Sequence, residues 1–144
     1  MSNAAFTPGI EGLMSGEIDL DTAVLKAALV RGYTFSAAHK FVSDITSNSG
    51  VLNGTSAALG SVSITGGVLD AADTTITTTA SAVNHSVVIF QASAVTGGSD
   101  VASSSQRLVA WLDTASDSSL PIQPGTGSVA VTWSNGSSKI IKIG

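Results

Sequence analysis

Ser128-Val129-Ala130-Val131-Thr132-Trp133 is the stretch that decides the fold. Val129, Val131 and Trp133 alternate with Ser128, Ala130 and Thr132. Successive side chains of a strand point to opposite sides of its sheet, so one face here is apolar and the other small or polar. The apolar face is expected to enter a core. Ser134-Asn135-Gly136-Ser137 follows, rich in residues that reach positive φ at low cost, and leads into Lys139 to Ile143. The pair reads as a closing hairpin.

The same texture extends upstream. Gly60 to Thr65, Val68-Leu69, Thr74 to Thr79, Ser86 to Ala92 and Arg107 to Asp113 are short β-like pieces, and Gly66-Gly67 marks another hairpin. Val24-Leu25-Lys26-Ala27-Ala28-Leu29-Val30-Arg31, closed by Gly32, has the length and apolar density of a buried strand. Ser47-Asn48-Ser49-Gly50 and Asn53-Gly54-Thr55 read as turns. One helix is predicted near residues 36–45, with Ser36 as N-cap and Phe41, Val42 and Ile45 at helical spacing. The pattern predicts an all-β, single-domain β-sandwich, jelly-roll or Ig-like, or a related barrel, with that one short helix.

Residues 1–16 mix Pro8, Gly9, Gly12 and Gly16 with Phe6, Ile10, Leu13 and Met14 without a sustained period. They read as an N-terminal arm or short turn, which leaves 17–144 as the domain. Val95 to Gln106 is the longest unpatterned piece and reads as a loop that is disordered or makes contacts.

At 144 residues the chain is long enough for one core. Only 11% of residues are charged against 43% hydrophobic, where soluble domains carry ~25% charged. Polarity comes instead from Ser, Thr, Asn and Gly, as in Thr74-Thr75-Ile76-Thr77-Thr78-Thr79. A surface so poor in charge is covered by partners at small desolvation cost. A formal charge of −4 and a pI near 4.7 supply no basic field, so neither nucleic acid nor an anionic membrane is expected as partner. With no Cys there is no disulfide, thiol nucleophile or Cys-based zinc site. Met1 to Phe6 lacks a basic and apolar leader, and no run reaches ~18 apolar residues, so the chain is expected to begin as written, in a cytosol.

Chemistry has few places to sit. His39 and His85 have no partner at ligand spacing, and the expected roles are a polar helix face and a strand entry. No Gly-x-Ser-x-Gly elbow occurs. Glu17, Asp19 and Asp21 alternate and would project together from an extended chain, which makes oxygen-ligand calcium binding conceivable; an acidic turn feeding a strand accounts for them more simply. Gly125-Thr126-Gly127 precedes a strand, so no helix N-terminus follows it for phosphate. The sequons at Asn53, Asn84 and Asn135 are expected by chance in such a composition. No catalytic, cofactor-binding or metal residue is predicted, no cofactor, and no enzyme.

The order of pieces nevertheless resembles a known group. Ile18-Asp19-Leu20-Asp21-Thr22, then Val24 to Val30, Tyr33-Thr34-Phe35, His39 to Phe41 and Ser43-Asp44-Ile45, resembles a family of small structural proteins of tailed bacteriophages. Near the other end, Leu108-Val109-Ala110-Trp111-Leu112-Asp113, Val129 to Trp133 and Lys139 to Ile143 are similar to that family's later strands. Ser86 to Gln91 can stand for its "A-V-I-Y-D" strand, whereas Thr74 to Thr79 lacks the aromatic of its "V-T-W" strand.

The resemblance implies a capsid decoration or cement protein in the virion, on the head surface. It would be made in the bacterial host cytoplasm and contact the major capsid protein, copies of itself, or both. Phe6, Ile10, Leu13 and Met14 of the arm are the candidate partner contacts, against the alternative of a short strand on the domain's own sheet. Two other readings stand beside it: a ring-forming head-to-tail connector or tail component, and a carbohydrate- or calcium-dependent binding module.

Overall fold

The computed structural model of the chain describes residues 3–125, 127–137 and 139–143. Met1 and Ser2 of the expected arm, Thr126, Ser138 and Gly144 lie outside the described residues. In chain order the elements are β1 (Ala4–Ala5), α1 (Thr7–Ser15), β2 (Val24–Arg31), α2 (Val42–Ser47), β3 (Val51–Thr55), β4 (Ser63–Thr65), β5 (Val68–Asp70), β6 (Thr74–Thr77), β7 (Ser86–Ser93), β8 (Arg107–Leu112), β9 (Ser128–Val131) and β10 (Ile141–Lys142). The fold is β-rich with antiparallel sheets and little helix.

Five strands form the principal sheet in the order β1-β8-β7-β2-β3. Every residue of β7 and of β8 is buried, so both faces of this sheet are covered, which explains why its central strands read as near-continuous apolar runs. One face presents Leu25, Leu29, Ile89 and Val109 to Leu69, Ile76, Trp133 and Ile140. These come from or flank two smaller sheets, β10-β5-β4 and β6-β9. The other face presents Val30, Val88, Phe90, Leu108 and Trp111 to Phe6, Tyr33, Val42 and Ile45. Aromatic rings concentrate there: Phe6 lies 5.2 Å from Phe35, Tyr33 meets Trp111 edge-on at 5.2 Å, and Phe35 stacks on Trp111 at 5.7 Å.

The N-terminal segment is part of this packing, not an arm. Ala4 and Ala5 pair with Trp111 and Ala110, and Phe6 is fully buried. The helix that follows is built from residues that look like breakers. Pro8 sits in the first turn, where its missing N–H has no intrahelical acceptor to lose. Gly9 and Gly12 form the buried side, and a Cβ on Gly9 would stand 2.5 Å from the Leu108 carbonyl oxygen. The helix backbone therefore lies on β8 at a distance only glycine permits.

The one predicted helix begins at Val42, not Ser36. Phe41 makes an isolated bridge with Arg107, and the Lys40 carbonyl accepts the Leu108 N–H at 2.9 Å. Residues 40 and 41 are thereby held extended on β8, so a helix cannot run through them. Asp44 makes the N-terminal cap by accepting the N–H groups of Lys40 and Phe41 at 2.8 and 2.9 Å. Burial raises the Asp44 pKa, but those two N–H bonds outweigh it and hold the carboxyl below its ordinary value.

Two turn readings are also corrected. Asn53-Gly54-Thr55 belongs to β3, and Asn53 is polar there because its amide holds the next layer. Its Oδ1 accepts from the Thr79 hydroxyl and the Ala80 N–H, and its Nδ2 donates to the Ala80 carbonyl. Ser134 to Ser137 does not close a hairpin, since β9 pairs with β6 and β10 with β5. Trp133 fixes the divergence, donating its N–H to Asp73 at 2.9 Å and its Nε1–H to the Ala72 carbonyl at 3.0 Å. Gly66 and Gly67, at φ 60° and 77°, do form the β4–β5 turn. Val129 and Val131 of β9, and Trp133 just beyond its end, face the core as the alternation predicts. Lys26 reaches the long loop at Asp100, and the Val101 N–H bonds the Ala92 carbonyl.

Candidate functional site

Where the small sheet β10-β5-β4 meets the end of α1, the two layers do not close. Ile64 stands opposite Leu69, and Leu69 opposite Ile141, so three aliphatic residues form a row across one face of that sheet. Leu69 is buried, whereas Ile64 remains 42% exposed. Facing the row are Leu13 at the end of α1 and Ile18 and Val109 beneath it, enclosing an open groove of about 470 Å³. Asp19 and Ile143 complete its rim. The groove is apolar because it is continuous with the core: Ile18, Leu69 and Val109 are members of the principal core cluster.

Arg107 positions the α1 side. Its guanidinium is buried, donates to the Pro8 carbonyl at 2.8 Å and to the Glu17 carboxylate, and lies 5.8 Å from the Phe41 ring centre. The hydrogen bond from Arg107, reinforced by its charge, holds the Glu17 carboxyl below its ordinary value of 4.5. A depressed folded-state pKa contributes stability that is full above 4.5 and is lost as pH falls through the folded-state value. The melting temperature of Glu17→Gln is accordingly expected to fall less than that of the unsubstituted chain when pH drops below 4.5, and high salt should narrow the difference. Identical acid profiles for the two proteins would remove this ion pair from the acid response.

The sequence-predicted contacts divide. Phe6 is buried in the aromatic core and offers nothing to a partner. Ile10 is half-buried, Leu13 lines the groove and Met14 is 84% exposed. Glu17, Asp19 and Asp21 are exposed around buried Ile18 and Leu20, as their alternation predicts. They do not converge, because Glu17 turns to Arg107 and Asp19 accepts the Asp21 N–H at 3.1 Å. Among the described residues, no group of three or more His, Asp or Glu is placed to hold a metal ion. His39 bonds the Tyr33 hydroxyl through Nδ1 at 2.6 Å, and His85 is exposed at the entry to β7.

Asn53 and Asn84 are fully buried, which removes those two sequons as glycan acceptors. Tyr33, Trp111 and Trp133 are buried as well, so none of the three offers a ring face for stacking on a sugar. Ile64, Ile141 and Ile143 were missed by sequence reasoning. Gly66-Gly67 carried a partial signal, since a two-residue turn there sets Ile64 against Leu69. No protein-family model, curated protein or solved structure matches this chain.

Proposed function

We propose that the chain is a structural protein of a tailed-bacteriophage virion, a decoration or cement subunit on the head surface that contacts several major capsid subunits. The observation that carries the assembling role is the open apolar groove bounded by Leu13, Ile64 and Ile143, on a chain with 11% charged residues. Such a surface is covered at low desolvation cost. The phage context rests on the resemblance of residues 18–45 and 108–143. The same reading takes the principal sheet and the smaller sheets as the halves of one β-sandwich, of jelly-roll or Ig-like kind. Modest contacts suffice in that setting, because attachment to one capsid subunit raises the effective concentration at the next.

The test is cosedimentation of the purified chain with preassembled expanded capsids and, separately, with free capsid subunits. Saturation of capsids at a regular copy number, with far weaker binding to free subunits, is the expected result. Closed rings formed by the chain alone would instead favour the connector reading, which has its own observation in the edge of β4, unpaired among the described residues. A melting temperature raised by calcium or by sugars would favour the binding-module reading.

A further inference from the structure

β4 ends the small sheet, and among the described residues no strand pairs with its outer side. Leu69 directs its carbonyl away from β4, accepting the Ile140 N–H at 3.1 Å. Ile64, opposite Leu69, is therefore a non-hydrogen-bonded partner whose own N–H and C=O point outward. Ser63, Ile64 and Thr65 are all exposed. Residues 45–69 contain no charged side chain and no proline, so shortness, three residues, is the one guard of this edge, which lacks the lysine, inward charge or proline that also block strand addition. It lies directly beside the apolar groove, to which Ile64 contributes.

Charge identifies the occupant. Residues 1–25 carry Glu11, Glu17, Asp19 and Asp21 and no Lys or Arg. Arg107 neutralises Glu17, and Asp19 on the groove rim makes no ion pair among the described residues. A second copy meeting this one rim to rim would set Asp19 against Asp19, whereas a basic segment would be drawn to it. We infer that the β4 edge takes an extended segment of a partner protein as an added strand. Alternate aliphatic side chains of that segment enter the groove, and a Lys or Arg faces Asp19. The inference rests on the assembling role proposed above and names its mode.

The test uses the full chain and fluorescein-labelled heptapeptides of alternating valine and threonine, ended by lysines, ended by glutamates, or ended by lysines with alternate backbone nitrogens methylated. The lysine peptide is expected to bind at least about tenfold more tightly than the glutamate peptide, and the methylated peptide to lose binding. Ile64→Lys should abolish binding, and Asp19→Asn, which keeps the acceptor for the Asp21 N–H, should erase the preference for lysine. If Ile64→Lys fails to fold, the methylated peptide and Asp19→Asn carry the same test. Equal binding of all three peptides, no binding of any, or self-association of the chain through this edge would overturn the inference. Capsid binding that survives Ile64→Lys overturns the inference and leaves the virion role standing. Peptide binding without capsid binding does the reverse.

Discussion

Replacing Phe6 by alanine is expected to cost about 3–5 kcal/mol of folding stability, measured by urea denaturation. The ring is fully buried, packs 5.2 Å from Phe35, and through Phe35 supports Trp111. The Phe6 N–H donates to the Val109 carbonyl at 3.1 Å, so the backbone holds the empty site open and the neighbours cannot collapse into it. Against a total stability of about 5–15 kcal/mol for a domain, the loss is a large fraction. A residue on a free arm would change stability by less than about 0.5 kcal/mol. A result of that size would mean the N-terminal segment is undocked in solution.

Gly9→Ala is expected to destabilise by about 1–3 kcal/mol, as overpacking does. The sign is the informative part, because helix propensity alone favours Ala over Gly by about 1 kcal/mol. The added methyl would sit 2.5 Å from the Leu108 carbonyl oxygen and 3.3 Å from the Val109 Cα. Both are backbone atoms of a central strand, so the helix must yield. Once α1 lifts off, the penalty grows no further, so the cost is capped by what its docking contributes. Hydrogen exchange should then show lost protection over Thr7–Ser15 with β2, β7 and β8 still protected. An Ala variant more stable than the parent would contradict the close approach of α1 to β8.

These two positions also show where the sequence was opaque. Pro8, Gly9 and Gly12 spell a loop by local rules, and they form a helix because a strand of distant sequence requires a small-residue surface to lie on it. The start of α2 was hidden for the same reason: Lys40 and Phe41 are held extended by Leu108 and Arg107, a pairing that no local pattern encodes. By contrast, Val24 to Arg31, Ser86 to Ala92 and Arg107 to Leu112 were legible, since strands buried on both faces need apolar residues at nearly every position. The alternation around Val129 and Val131 was legible because it is a property of one strand alone. The groove was half legible. Leu13 stood out as an apolar residue near the start, but the row Ile64, Leu69 and Ile141 depends on β5 pairing with β10, which the turn-like Ser134 to Ser137 disguised as a local hairpin.

The electrostatics fit an assembling surface. Of the acidic residues in the first third of the chain, Glu17 is bound to Arg107 and Asp44 caps α2. Asp19 lines the groove, and among the described residues neither Asp19 nor Asp21 makes an ion pair. An apolar groove with an acidic rim and an open strand edge combines backbone pairing, aliphatic burial and charge selection for one partner.

The most direct test is a cryo-EM map of an intact particle grown from the genome that encodes this chain. Density for the chain at regular positions over the seams between major capsid subunits, with β4 and the Leu13–Ile64 groove turned toward the capsid, is the expected result. A particle that lacks the chain, or one that carries it with this groove facing solvent, would contradict it.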